Sequence, residues 1–226
     1  FGTSGWRGII GKDITFRRVR VVTQAILDTL AAEGARPSLV LVGYDTRMLS
    51  EKFALAAAQL IAANGVKVEL TTRDVPSPVL AAGVLDRAAS VGMTFTGSHN
   101  PPEYNGLKTY TEQGILTPDA LTERFEERCR TLMDDFDDTY LPRPELIREV
   151  DLKRGYLERL QRIIDWDAIR ASGIHVVVDP LFGTTREYLD HILLENEVPT
   201  VVIHNTRDPY FGGYAPDCIP QNLTRL

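Results

Sequence analysis

Residues 38–71, SLVLVGYDTRMLSEKFALAAAQLIAANGVKVELT, decide the fold class. The run SLVLVGY at 38–44 is apolar, rich in β-branched side chains and too short for a helix, which is how a buried strand reads. Behind Ser50, a residue of the helix-capping type, Phe53, Ala57, Leu60 and Ile61 recur at helical spacing, and Asn64-Gly65 ends the run. Residues 66–71 then read as a strand again. Strand, helix and strand in that order form a βαβ unit, with parallel strands and helices packed on the sheet.

The rhythm continues in both directions. Upstream, Val19, Val22, Ile26 and Leu30 share a helical face that Gly34 closes. Downstream, VPSP turns the chain, a short helix covers about 79–85, and VGMTF at 91–95 is a buried strand running directly into the polar loop TGSHNPPEYNG. A strand at 107–110 and a helix from 118 to about 133 follow. Residues 133–145, MDDFDDTYLPRPE, are acidic, carry prolines and lack apolar periodicity, so the domain boundary is placed there, at 140/141. A second α/β unit comes next: a helix at 152–164, the strand IHVVVD at 174–179, the turn PLFGT, a helix carrying Tyr188, Leu189, Ile192 and Leu193, and the strand VPTVVI at 198–203. There the alternation stops a strand or two short of a full layer. The expected architecture is therefore α/β: two consecutive three-layer α/β/α domains, 1–140 and 141–226, with mixed, mainly parallel sheets, the second incomplete.

Composition narrows the function classes. A formal net charge of -6 gives no general attraction to nucleic acid or to an anionic membrane, so neither is an expected partner and an anionic ligand needs a local basic site. The two cysteines, Cys129 and Cys218, are far apart and in no CxxC pair; this argues against a disulfide framework or a structural zinc and fits a reducing cytoplasm. No apolar run approaches the roughly 20 residues that cross a bilayer. The opening residues lack the regions of a signal peptide, and without an initiator Met further residues are expected upstream.

The loop at 96–106 holds the chemistry. It stands at the C-terminal end of a strand, where open α/β sheets bind their ligands. Ser98, on a sharp turn after Gly97, is exposed and rigidly held, as a nucleophile or phosphoryl carrier must be, and the neighbouring His99 imidazole can donate to phosphate oxygens. Turn chemistry alone leaves open an Asx-Pro turn with a capping serine. The absence of G-x-S-x-G weakens a serine hydrolase. Asn105-Gly106 reads as a tight turn that brings Lys108, at the start of the next strand, back beside Ser98. There its ammonium would offset phosphate charge or transfer a proton; a solvated edge lysine is the alternative. FGTSGWRG at 1–8 is a glycine loop with the hydroxyls of Thr3 and Ser4 and the guanidinium of Arg7, all suited to an anion. Arg47, in GYDTR, reads as a structural tie to Asp45 or the sheet.

In order and spacing, FGTSGWRG, VGYDTR, TGSHNPPEYNGLK and FGG..PDCIPQNL resemble the phosphohexomutases, the phosphoglucomutase/phosphomannomutase family, along the whole chain. The residue before the serine is commonly alanine in that family and is Gly97 here, read as a tolerated small-for-small change. The resemblance implies four α/β domains around a central cleft, of which this chain is the first and most of the second, with the C-terminal domains of the same protein as its partners. It also implies interconversion of hexose 1-phosphate and hexose 6-phosphate through a phosphorylated Ser98, with hexose 1,6-bisphosphate as intermediate and activator. Ser98, Lys108, His99 and Arg7 are then the catalytic candidates, Lys108 as acid/base. Thr3, Ser4, Arg7, His99, Asn100 and Lys108 are the substrate and phosphate contacts. Mg2+ would be held by the phosphoserine oxygen of Ser98 and by three aspartates of a DGDxDR-type loop that the sequence lacks, so the chain alone is not expected to complete a turnover. PPEYNG looks more like the glucose and mannose branches than the glucosamine branch. A non-catalytic module that binds sugar phosphates at Ser98 is the alternative.

Overall fold

The computed structural model describes residues 5–226. Strands β1 (Trp6–Ile9), β2 (Leu39–Tyr44), β3 (Lys67–Thr71), β4 (Val91–Phe95), β5 (Tyr104–Thr111) and β6 (Ile147–Val150) form one sheet in the order β1-β5-β4-β2-β3-β6. The pairs β4–β2, β2–β3 and β3–β6 are parallel, whereas β5 runs antiparallel to both β4 and β1. The sheet is thus mixed and mainly parallel.

Its two faces bury separate cores. Successive strand residues point to opposite faces, so Val40, Val42 and Tyr44 join one cluster and Leu41 the other. On the first face lie α1 (Phe16–Ala32), α2 (Ser50–Ala63) and α4 (Asp119–Leu132), through Val19, Ile26, Phe53, Ile61 and Phe125. The second face is covered by α3 (Ser77–Asp86), through Val79, Leu80 and Val84, and by Tyr156 and Leu157 of α5 (Lys153–Ile163). A smaller unit follows: α6 (Trp166–Ala171), β7 (Val176–Val178), α7 (Leu189–Glu195) and β8 (Thr200–Val202), with β7 and β8 parallel around Trp166, Val178, Ile192 and Leu193. Leu157 packs against both the second-face cluster and this third one. Among the described residues no helix is long and apolar enough to cross a membrane.

Four local readings change. Trp6–Ile9 is a strand rather than a glycine loop, and Asn105-Gly106 is not a turn: both lie inside β5, opposite Gly8 and Arg7. The cause is a close approach of backbones. A Cβ on Gly106 would stand 1.9 Å from the Trp6 carbonyl oxygen, so glycine is what lets β1 pair here. Ser50 does not cap α2; Leu49, at φ 63°, is the N-cap, and the Ser50 hydroxyl donates instead to Asp45 Oδ1 at 2.6 Å. Finally, residues 147–150, not read as a strand from the sequence, form β6, which joins the first sheet beside β3. The four-residue strand IREV exposes its middle two residues, which hid it from periodicity.

Candidate active site

The loop after β4 is folded around a buried arginine. Arg47 is 1% exposed, and its guanidinium donates to Asp45 Oδ2 (3.1 Å) and to four loop carbonyls: Ser98 and Asn100 (both 2.7 Å), Pro101 (2.6 Å) and Tyr104 (3.0 Å). Carbonyls that point away from the sheet ladder need donors, and one planar fork supplies them together with a carboxylate. Burial draws Arg47 below the usual arginine value, and Asp45 opposes that shift. Asp45 also accepts from the Gly97 N–H at 3.3 Å. The reading of Arg47 as a structural tie holds, and its reach is wider than Asp45. Gly97 is not interchangeable with alanine at no cost, since a Cβ there would lie 2.7 Å from Arg47 Cζ.

Within this clasp Ser98 adopts φ 57°, a left-handed conformation uncommon for a residue with a Cβ. Thr96 Oγ1 accepts from the Ser98 N–H at 2.8 Å, and the Asn100 N–H donates to the Gly97 carbonyl at 3.1 Å. Ser98 is half-buried, and its hydroxyl accepts from Lys108 Nζ at 3.4 Å. Lys108 arrives through β5, opposite Thr94 of β4. Burial lowers the Lys108 ammonium below the usual lysine value; the Arg7 charge lowers it further, and Asp45 opposes both.

Arg7 reaches the same place through β1. It pairs with Gly106, two residues from Lys108 along β5, so both side chains rise from one face of the sheet. Arg7 Nη1 donates to Asn100 Oδ1 at 3.0 Å. The structure therefore brings Ser98, Lys108, Arg7 and Asn100 together. His99 sits beside them in sequence with an exposed side chain that makes no hydrogen bond to a described residue. The hydroxyl of Ser98 has an ammonium as its neighbour rather than an imidazole, so Ser98 and His99 do not form a serine–histidine hydrolase pair. Thr3 and Ser4 lie outside the described residues.

A second wall comes from the smaller unit. Ser98 and Lys108 line a cavity of about 260 Å³ whose other side is the turn 180–185, with Asp179, Phe211 and Cys218. The Phe211 ring lies 5.0 Å beneath Arg47 Cζ, a cation–π contact that joins the two walls. Asp179 takes the His204 Nδ1 at 2.9 Å and the Leu181 N–H at 2.8 Å. Sequence reasoning named PLFGT only as a turn; its place after a strand was the available signal. Among the described residues no group of three His, Cys, Asp or Glu side chains is arranged to hold a metal ion, and both carboxylates of the cavity, Asp45 and Asp179, are occupied by protein donors. These residues by themselves do not make a Mg2+ site.

Residues 1–135 match the family model described as phosphoglucomutase/phosphomannomutase, alpha/beta/alpha domain I, and residues 154–226 match domain II of the same family. The chain belongs to the phosphoglucomutase/phosphomannomutase family. It is 30% identical to a phosphoglucomutase of Komagataeibacter xylinus, over 93% of this chain and 41% of that protein. It is 32% identical to a phosphoglucosamine mutase of Corynebacterium efficiens, over 93% of this chain and 47% of that protein. A solved structure, a putative phosphomannomutase from Thermus thermophilus, superposes with a TM-score of 0.88 at 31% identity, over 99% of this chain and 49% of that one. The chain thus spans about half the length of the relatives it matches. In this member of the family a serine hydroxyl stands on a loop that Arg47 holds, with Lys108 beside it and Arg7 on Asn100 of the same loop.

Proposed function

We propose that the protein carrying this chain interconverts hexose 1-phosphate and hexose 6-phosphate, with glucose or mannose as the sugar, by way of a phosphorylated Ser98. The observation that carries this reading is the placement of Lys108 Nζ 3.4 Å from Ser98 Oγ, on a loop whose backbone Arg47 fixes. Phosphoryl transfer asks a protein mainly for positioning and for charge stabilisation, and in this reading this chain's own residues contribute to both.

In the proposed step the phosphorus–oxygen bond to one sugar oxygen of hexose 1,6-bisphosphate breaks while a bond from phosphorus to Ser98 Oγ forms. Ser98 gives up its hydroxyl proton, and the departing sugar oxygen takes one. The minor neutral form of Lys108 accepts the first proton at Nζ and returns one to the sugar oxygen, so the cycle balances. A lysine held below its usual value, as Lys108 is, is better suited to this exchange than an ordinary one. In this reading Arg7, with Asn100, and His99 contact the phosphoryl oxygens. Mg2+, when bound, would add charge stabilisation at the phosphoryl group. Ser98 would be this chain's ligand to it, and carboxylates from elsewhere in the protein would complete the site. A cytoplasmic location is part of the same proposal.

The test is turnover of glucose, mannose and glucosamine 1-phosphates by the full-length protein, with hexose 1,6-bisphosphate and Mg2+ present. Glucose or mannose 1-phosphate is expected to be converted, and Ser98→Ala to lose activity by three or more orders of magnitude, roughly the scale for removing a nucleophile. A folded protein that converts none of them, and binds them equally well with or without the Ser98 hydroxyl, is a sugar-phosphate-binding module.

A further inference from the structure

Arg186 is 6% exposed and is not among the residues that line the cavity, yet it organises one of its walls. Its Nη1 donates to the carbonyls of Phe182 (3.1 Å) and Gly183. Its Nη2 donates to both carboxylate oxygens of Asp74, at 2.9 and 3.1 Å. Asp74, 5% exposed, belongs to the first domain, between β3 and α3, 112 residues away in sequence. One guanidinium therefore ties the turn 180–185 to the sheet that carries Ser98. Arg73 and Glu187, the next residue on each side, pair at 2.5 Å and reinforce the tie.

The turn needs such a restraint. Leu181 and Phe182 lie at φ 48° and 58°, left-handed conformations that residues with a Cβ keep only where the surroundings over-determine them. The Leu181 N–H is held by Asp179, and the Phe182 N–H by the His204 carbonyl at 3.1 Å. The carbonyls of Phe182 and Gly183 are held by Arg186. Arg47 does the same on the opposite wall, where it takes the carbonyls of Ser98, Asn100, Pro101 and Tyr104 and a carboxylate of its own. The two arginines are counterparts, each fixing one loop by its carbonyls and one carboxylate, and the two loops share one cavity.

We propose that Arg186, paired with Asp74, is a positioning residue for phosphoryl transfer at Ser98, holding the turn 180–185 as the wall that faces the serine. This rests on the function proposed above. Lysine at 186 would keep a charge for Asp74 but has no fork with which to hold the two carbonyls as well.

The test uses the full-length protein with Arg186→Lys and Arg186→Met. It reads peptide-resolved hydrogen exchange and the rate of Ser98 phosphorylation by glucose 1,6-bisphosphate. Arg186→Lys is expected to speed exchange in 180–185 by about tenfold or more, the factor for losing a hydrogen bond to a charged group, and to leave 39–44 unchanged. Phosphorylation at saturating bisphosphate should slow by a similar factor. If Arg186→Met fails to fold, Arg186→Lys carries the test. Unchanged exchange in 180–185, acceleration spread evenly over the chain, or normal phosphorylation despite a loosened turn would each overturn the positioning role. A wild-type protein that takes no phosphoryl group would overturn the functional reading and this inference with it, whereas equal labelling of wild type and variants would overturn this inference alone.

Discussion

Arg47 Nη2 donates to the Ser98 carbonyl at 2.7 Å, so the residue with the reactive hydroxyl is held by its backbone and the hydroxyl is left to Lys108. The clasp is also a stability element, because the Arg47 side chain is 0% exposed and the Asp45 side chain 10%. Arg47→Met would leave Asp45 without its cation and four loop carbonyls without their donor. The expected cost is about 3–5 kcal/mol, the range for breaking one side of a buried pair. Urea unfolding checks it, and a change below about 1 kcal/mol would show that the loop does not depend on Arg47.

Lys108 and Arg7 rise from one face of β5 and β1, and their proximity sets a pH dependence. The positive Arg7 disfavours the charged form of Lys108 and so adds to the lowering that burial causes. Arg7→Gln removes that contribution and raises the Lys108 pKa toward its usual value. Because the proton exchange begins with neutral Lys108, the limb on which Ser98 phosphorylation rises with pH should move to higher pH in Arg7→Gln. Rates measured across pH with glucose 1,6-bisphosphate decide it; an unmoved limb, or one moved to lower pH, would remove Lys108 from the proton path.

Two glycines should respond to alanine in opposite directions. At Gly106 a Cβ would fall 1.9 Å from the Trp6 carbonyl oxygen, so β1 must move off β5 and carry Arg7 with it. Gly106→Ala is expected to cost about 1–3 kcal/mol, as overpacking does, and to slow Ser98 phosphorylation. Gly155, within α5, has nothing within 4 Å of its Cβ position, and Gly155→Ala should stabilise by roughly 0.5–1 kcal/mol through helix propensity alone. Thermal unfolding of both variants checks the signs.

The strands that sequence reading found are rich in apolar and β-branched side chains, whether buried almost throughout, as β2 and β4 are, or partly exposed, as β7 and β8 are. VGMTF at 91–95 is unbroken apolar sequence apart from Gly92 and Thr94, and its boundaries coincide with β4. β1 and β6 escaped because neither is a β-branched run: WRGI carries an arginine and a glycine, and IREV has only its two end residues to bury. Asn105-Gly106 carried a hairpin signal that tertiary pairing overrode, since the same glycine that suits a turn also admits a close neighbouring strand. The serine wall of the site was legible because Ser98, Asn100 and Lys108 lie within eleven residues of one another along the chain. The facing wall was not, because the contact that places it, Arg186 to Asp74, spans 112 residues and no local pattern encodes it.

The role of Ser98 as phosphoryl carrier is tested most directly by intact mass and peptide mapping of the full-length protein, with Mg2+, before and after glucose 1,6-bisphosphate. The expected result is one added phosphoryl group, mapped to Ser98 and absent in Ser98→Ala. A folded wild-type protein that gains no phosphoryl group, or gains it at another residue, would contradict the carrier role.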